Sequence, residues 1–188
     1  LDLLFCKFPE YELAGADVKF SNPIFLDETV GFWYYPTQSR IKILRSSIEL
    51  VTIKLKLSAD AKLFFDCEDE VGWHEICEKA VPTERQITDV ARDDKFYPPM
   101  YVNTLDHNSP FRHCLIRWGI KTVRDIINLS AIVGMFLPGK NSIFSGLKID
   151  FSTRNTSRLI EVTTVDPRFN LCDYSVFEKN FTANISSI

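Results

Sequence analysis

Residues 48–65, IELVTIKLKLSADAKLFF, begin in strict alternation: Val51, Ile53, Leu55 and Leu57 fall on one face of an extended chain, and Thr52, Lys54 and Lys56 on the other. A helix would scatter these side chains around its circumference. The run is therefore read as a strand with one dry and one wet face. The same pattern returns at 114–120, 147–151 and 160–162, which makes the chain a sheet protein. Strands are predicted near 17–21, 31–35, 41–45, 48–57, 62–66, 73–77, 113–119, 147–152 and 158–164, punctuated by prolines at 23, 36, 98, 99, 110, 138 and 167.

Fifteen Phe, six Tyr and three Trp against seven Gly favour strands packed by aromatic side chains. The expected class is all-β, an antiparallel β-sandwich or jelly-roll-like arrangement with little helix. Residues 121–136 fit two periods. Val123, Ile126, Ile127, Ser130 and Ala131 suit a helix, whereas Ile127, Leu129, Ala131 and Val133 suit a strand; two strands with a bend near Gly134 are the reading adopted. The 188 residues suit one domain over 1–165, and residues 166–188 read as an extended tail packing on the domain or leaving it.

A net charge of −3 without a basic stripe excludes nucleic acid as the main partner. The longest apolar stretch, 126–137, holds Asn128, Ser130 and Gly134 and is shorter than the roughly 20 residues a membrane-spanning helix needs. The chain begins at Leu1 rather than Met, as removal of a leader or excision from a longer protein would produce.

Four N-x-Ser/Thr sequons, at Asn128, Asn155, Asn180 and Asn184, point to a secreted or lumenal protein. Asn128 lies between Ile127 and Leu129 and is set aside, leaving Asn155, Asn180 and Asn184 as glycosylation candidates. Five cysteines without a C-x-x-C pair give no zinc spacing. Cys114 is the choice for a buried thiol, and Cys6, Cys67, Cys77 and Cys172 are the disulfide candidates, their connectivity open.

Asp66, Glu68, Asp69, Glu70 and Glu75 supply oxygen ligands without the EF-hand order and are read as a solvated acidic turn. His74, His107 and His113 are the only histidines, and no metal site is assigned to them. The segment 31–36, GFWYYP, places Phe32 and Tyr34 on one strand face and Trp33 and Tyr35 on the other. Trp33 and Tyr35 are the candidate ligand-binding pair, since exposed Trp and Tyr stack on sugars or anchor a partner. No G-x-G-x-x-G, Walker loop, G-x-S-x-G or H-E-x-x-H occurs, so no catalytic residue and no cofactor are assigned.

The blocks 32–36 (FWYYP), 53–63 (IKLKLSADAKL), 73–76 (WHEI), 111–118 (FRHCLIRW) and 147–153 (LKIDFST) resemble, in order, the farnesoic acid O-methyltransferase-like domain of invertebrate proteins over roughly residues 31–165. The chain departs from that pattern at 77–80, CEKA, where the family tends to carry glycines. The resemblance implies a β-rich binding module. The function expected from sequence is thus a non-catalytic, secreted binding or adhesion module for a glycan or partner protein, with oligomers allowed. A viral jelly-roll shell or surface protein is the first alternative. An enzyme assembled from distant strands, using His107 or His113, is the second.

Overall fold

The computed structural model describes residues 12–24, 28–58, 86–98, 112–139 and 142–188. Among these, nine strands form one antiparallel sheet: β1 (Glu12–Phe20), β2 (Gly31–Tyr35), β3 (Arg40–Arg45), β4 (Ile48–Ser58), β5 (Lys95–Phe96), β6 (Phe144–Asp150), β7 (Leu159–Asp166), β8 (Leu171–Glu178) and β9 (Phe181–Ser187). A long helix, α1 (Arg112–Met135), precedes β6. The class read from sequence, antiparallel all-β with little helix, is the one that forms. In β4, Val51 and Leu55 are buried while Lys54 and Lys56 are exposed, as the alternation requires.

The strand order is β2-β3-β4-β1-β6-β9-β8-β7-β5. Outward from the β1/β6 junction, the order is β1, β4, β3, β2 on one side and β6, β9, β8, β7 on the other, with the short β5 added beyond β7. Each half is one strand followed by a three-strand meander that returns to pair with it. The chain thus repeats a topology where no sequence repeat is visible. At the junction Gly15 pairs with Asp150, beside a register shift in β1 between Leu13 and Gly15. A Cβ at Gly15 would lie 2.7 Å from the Ile149 carbonyl oxygen, so only glycine lets the halves close at this height.

Two expectations are corrected by α1 and by the end of the chain. Residues 113–119 and 121–136, expected as strands, are helical from Arg112 to Met135, interrupted at Gly119 (φ 74°, ψ 159°). That backbone region is open essentially to glycine alone. The buried positions Leu115, Trp118, Thr122, Asp125, Leu129 and Ile132 recur every three or four residues, a helical stripe disguised by its two polar members. Residues 166–188, expected as a tail, carry β8 and β9, which lie well inside the sheet. Their alternation is intact: Cys172, Tyr174 and Val176, then Phe181, Ala183 and Ile185, face inward and are buried. Glu178 and Ser187 continue the same face as buried polar side chains, which breaks the apolar pattern on paper.

The core gathers on the inner face. Trp118 of α1 meets the Phe151 ring at 4.9 Å, and Phe151 meets Phe181 edge-on at 6.0 Å. Tyr174, 1% exposed, donates its hydroxyl to the Leu137 carbonyl at 3.0 Å and so ties β8 to the chain just past α1. Burial holds its phenol well above the ordinary tyrosine value.

Candidate active site

Polar side chains are expensive in an interior, and their convergence at one place therefore needs an account. Halfway along α1, Thr122, Asp125 and Asn128 point into the protein with 1%, 4% and 0% of their surface exposed. The sheet answers with Glu178, 1% exposed at the end of β8. Arg158, immediately before β7, reaches Glu178 with both arms of its fork: Nε to Oε2 at 2.6 Å and Nη2 to Oε1 at 2.8 Å. Arg124 Nη2 donates to Asp125 Oδ1 at 3.2 Å.

The frame holding these groups is built from asparagines. Asn155 Nδ2 donates to the carbonyls of Glu178 at 2.7 Å and Phe181 at 3.1 Å, and to Thr182 Oγ1 at 3.2 Å. It thereby clamps the β8–β9 turn onto the β6–β7 connection. From that turn Asn180 Nδ2 donates to Thr122 Oγ1 at 2.9 Å, linking the sheet to α1 one helical turn before Asp125.

Electrostatics make the two carboxylates unusual. Burial raises the Asp125 carboxyl above the ordinary aspartate range, against the pull of the neighbouring Arg124, Arg158 and Lys121 charges. Burial likewise raises Glu178, opposed by its Arg158 bonds and reinforced by repulsion from Asp125. For Arg158 burial works against the charge most strongly, yet its bonds to Glu178 and attraction to Glu178 and Asp125 together hold its value above the ordinary one. One guanidinium is thus shared between two carboxylates whose proton affinities are raised. Groups of this kind exchange protons nearer neutrality than free carboxylates do.

The residues singled out from sequence lie elsewhere or do other work. Trp33 and Tyr35, 44% and 38% exposed, sit on the edge strand β2. Six strand spacings, roughly 29 Å, separate β2 from β8. A Cβ at Gly31 would lie 2.0 Å from the Trp33 ring, so the indole covers its own strand. Asn155 and Asn180 spend their amides on the internal bonds above. Asn184, exposed on the outer face, accepts a bond from Ser175 Oγ at 2.8 Å. Cys172, expected in a disulfide, is a fully buried free thiol on the inner face. Its pKa is pushed up to about 12 by burial and by the Asp173 charge. Cys114 is buried, as expected, though on α1 rather than on a strand. Cys6, Cys67, Cys77, His74, His107, the acidic run at 66–75 and the His113 side chain lie outside the described residues. Asp125, Glu178 and Arg158 were not marked by sequence. A helical reading of 112–135 would have shown an aspartate inside an apolar stripe.

No family model matches the chain. No curated protein matches it either. Among solved structures, the Mycobacterium avium subs paratuberculosis tesB protein MAP1729c superposes with a TM-score of 0.51 at 10% identity, over 99% of this chain and 82% of that one. The fold is a hotdog. A protein described as an oleoyl thioesterase, from Lactobacillus plantarum, aligns over 94% of this chain and 75% of its own at TM-score 0.38 and 10% identity. A MaoC-like dehydratase from Phytophthora Capsici does so over 94% and 71% at TM-score 0.38 and 9% identity. The first of these likenesses shows the fold.

That likeness corrects the expectation of a farnesoic acid O-methyltransferase-like domain. The non-catalytic carbohydrate-binding adhesion module goes with it, and so does the jelly-roll shell protein beside it. The expectation that the chain is not an enzyme is withdrawn on the same finding. The physical reason is that short alternating blocks specify strands, and strands of the same length and spacing serve a hotdog as well as a sandwich.

Proposed function

We propose that this chain is a hydrolase of acyl thioesters in which Asp125 takes a proton from the attacking water. The observation that carries the reading is Asp125 itself, a carboxylate 4% exposed on the inner face of α1, with its proton affinity raised by burial and its surroundings built by Arg124, Arg158, Glu178 and the Asn180–Thr122 link. The fold shared with the tesB protein supports it.

In the step proposed, the water oxygen bonds to the thioester carbonyl carbon while Asp125 accepts the water proton. The tetrahedral intermediate then expels the thiolate, which recovers a proton and leaves as the thiol. Glu178 and Arg158 act on Asp125 by charge and position, without touching the reacting atoms.

The test is hydrolysis of a series of acyl-CoA esters, read by thiol release with a chromogenic disulfide. The wild-type chain is expected to turn over at least one of them, and Asp125→Asn to lose about a hundredfold or more in kcat while keeping its circular dichroism, the loss typical of removing a general base. A folded Asp125→Asn variant with wild-type turnover, or a wild-type chain inert toward every ester, overturns the reading.

A further inference from the structure

A second feature lies away from the carboxylates. The end of β1, the last turns of α1 and the approach to β6 enclose a cleft of about 540 Å³, within the range that holds small-molecule ligands. Its back wall is the stacked pair Phe20 and Phe144, ring centroids 5.6 Å apart. Val133 and Gly134 of α1 form its floor, and Ile24, Ile143 and Ile188 stand around it with 47%, 56% and 45% of their surface exposed. Among the described residues lining it, none has a charged side chain; the polar ones are serines and Asn22. Asn22 Nδ2 is bound to the Glu49 carbonyl at 2.8 Å and Ser130 Oγ to the Ile127 carbonyl at 2.8 Å, so both donors are turned to the protein.

We propose that this cleft binds an unbranched aliphatic chain, as carried by a fatty acid or a fatty acyl ester. Three large isoleucines left in water around one concavity are a cost that an apolar occupant removes. The floor suits a slender occupant. Gly134 lies in regular helix, and a Cβ built on it meets nothing within 4 Å, so the backbone is bare and the slot above it open. The absence of a charged side chain among the described lining residues disfavours a nucleotide or phosphate there. The lining carries this inference by itself, independently of the role given to Asp125.

Gly134 also supplies the test. Gly134→Phe has room for its side chain only by filling the cleft, and replacing a helical glycine improves helix propensity, so the variant is expected to fold at least as well as the wild type. The probe is dansyl-undecanoic acid, followed by fluorescence on the full chain. The wild type is expected to bind it and Gly134→Phe to lose tenfold or more in affinity, whereas Gly134→Ala, which adds one methyl, keeps most of it. Displacement by both dodecanoic acid and dodecanoyl-CoA supports recognition of the chain itself, and displacement by one of them alone assigns the source. No binding by the wild type, or equal binding by a folded Gly134→Phe, overturns the proposal. A dimer seen by light scattering that Gly134→Phe dissociates, with no probe bound, overturns it in favour of a second copy as occupant. Asp125→Asn is expected to bind the probe normally, so an inert but probe-binding wild type refutes the catalytic reading alone.

Discussion

Replacing Arg158 by Met should destabilise the fold by about 2–3 kcal/mol near neutral pH, and the loss should fade in acid. Breaking a buried pair from one side costs about 3–5 kcal/mol because the other charge is left without its partner. Glu178 is 1% exposed, but the Arg158 side chain is 36% exposed, so solvent already screens part of the attraction and the lower figure applies. Two charge-assisted bonds, at 2.6 and 2.8 Å, disappear together. The Glu178 carboxyl is already raised by burial in the folded protein, and without the Arg158 bonds that oppose that rise it goes higher still. A group whose folded value exceeds its unfolded one gives stability that is fully present below the unfolded value and lost as pH rises through the folded one. The difference between wild type and Arg158→Met is therefore smallest below the ordinary glutamate range and grows as pH rises, until Glu178 is ionised in the variant. Urea denaturation across that pH range measures it, with Arg158→Met/Glu178→Met as the closing corner of the cycle. The double variant should return to within about 1 kcal/mol of wild type, since Asn155 holds the Glu178 carbonyl and not its side chain. A loss under about 0.5 kcal/mol at neutral pH, or one that does not change with pH, would refute the assignment of Glu178 as a buried charge dependent on Arg158.

Asp125→Asn should remove a downward slope in stability: the wild type loses stability relative to the variant as pH rises from the ordinary aspartate range through the raised Asp125 value, read from urea midpoints at several pH values. Gly119→Ala should cost about 1–3 kcal/mol in thermal unfolding, purely through backbone strain at φ 74°, because nothing lies within 4 Å of the added Cβ. Phe181→Ala should cost about 3–5 kcal/mol by emptying a fully buried position against Phe151, and a cost below about 1 kcal/mol would contradict the packing described. Cys172 should react with a maleimide only on unfolding, since its thiol is buried and its pKa pushed up to about 12; rapid labelling of this cysteine in native protein, located by peptide mass, would contradict that burial.

Much of the sheet was legible. The strands at 31–35, 41–45 and 48–57 lie within a residue of those formed, because each carries its alternation in plain apolar and charged residues. The candidate site was not, because its members look ordinary where they stand. Asp125 follows Arg124 in a segment whose apolar residues fit both periods, and Glu178 ends a strand where a solvated charge is unremarkable. Only burial distinguishes them, and burial is decided by which element crosses above.

By itself the sequence determined that successive side chains of residues 48–57 take opposite faces, and hence that the chain builds antiparallel sheet; period-two alternation is a local property of the backbone. It could not choose between sheet against sheet and sheet against helix, because residues 121–136 satisfy both periods and the choice depends on what they pack against. Tertiary structure made that choice. With α1 laid on the inner face, Asp125, Arg158 and Glu178, separated by 33 and 20 residues along the chain, share one low-dielectric volume. The raised proton affinities of the two carboxylates arise from that shared desolvation, a property of where the residues meet rather than of which residues they are.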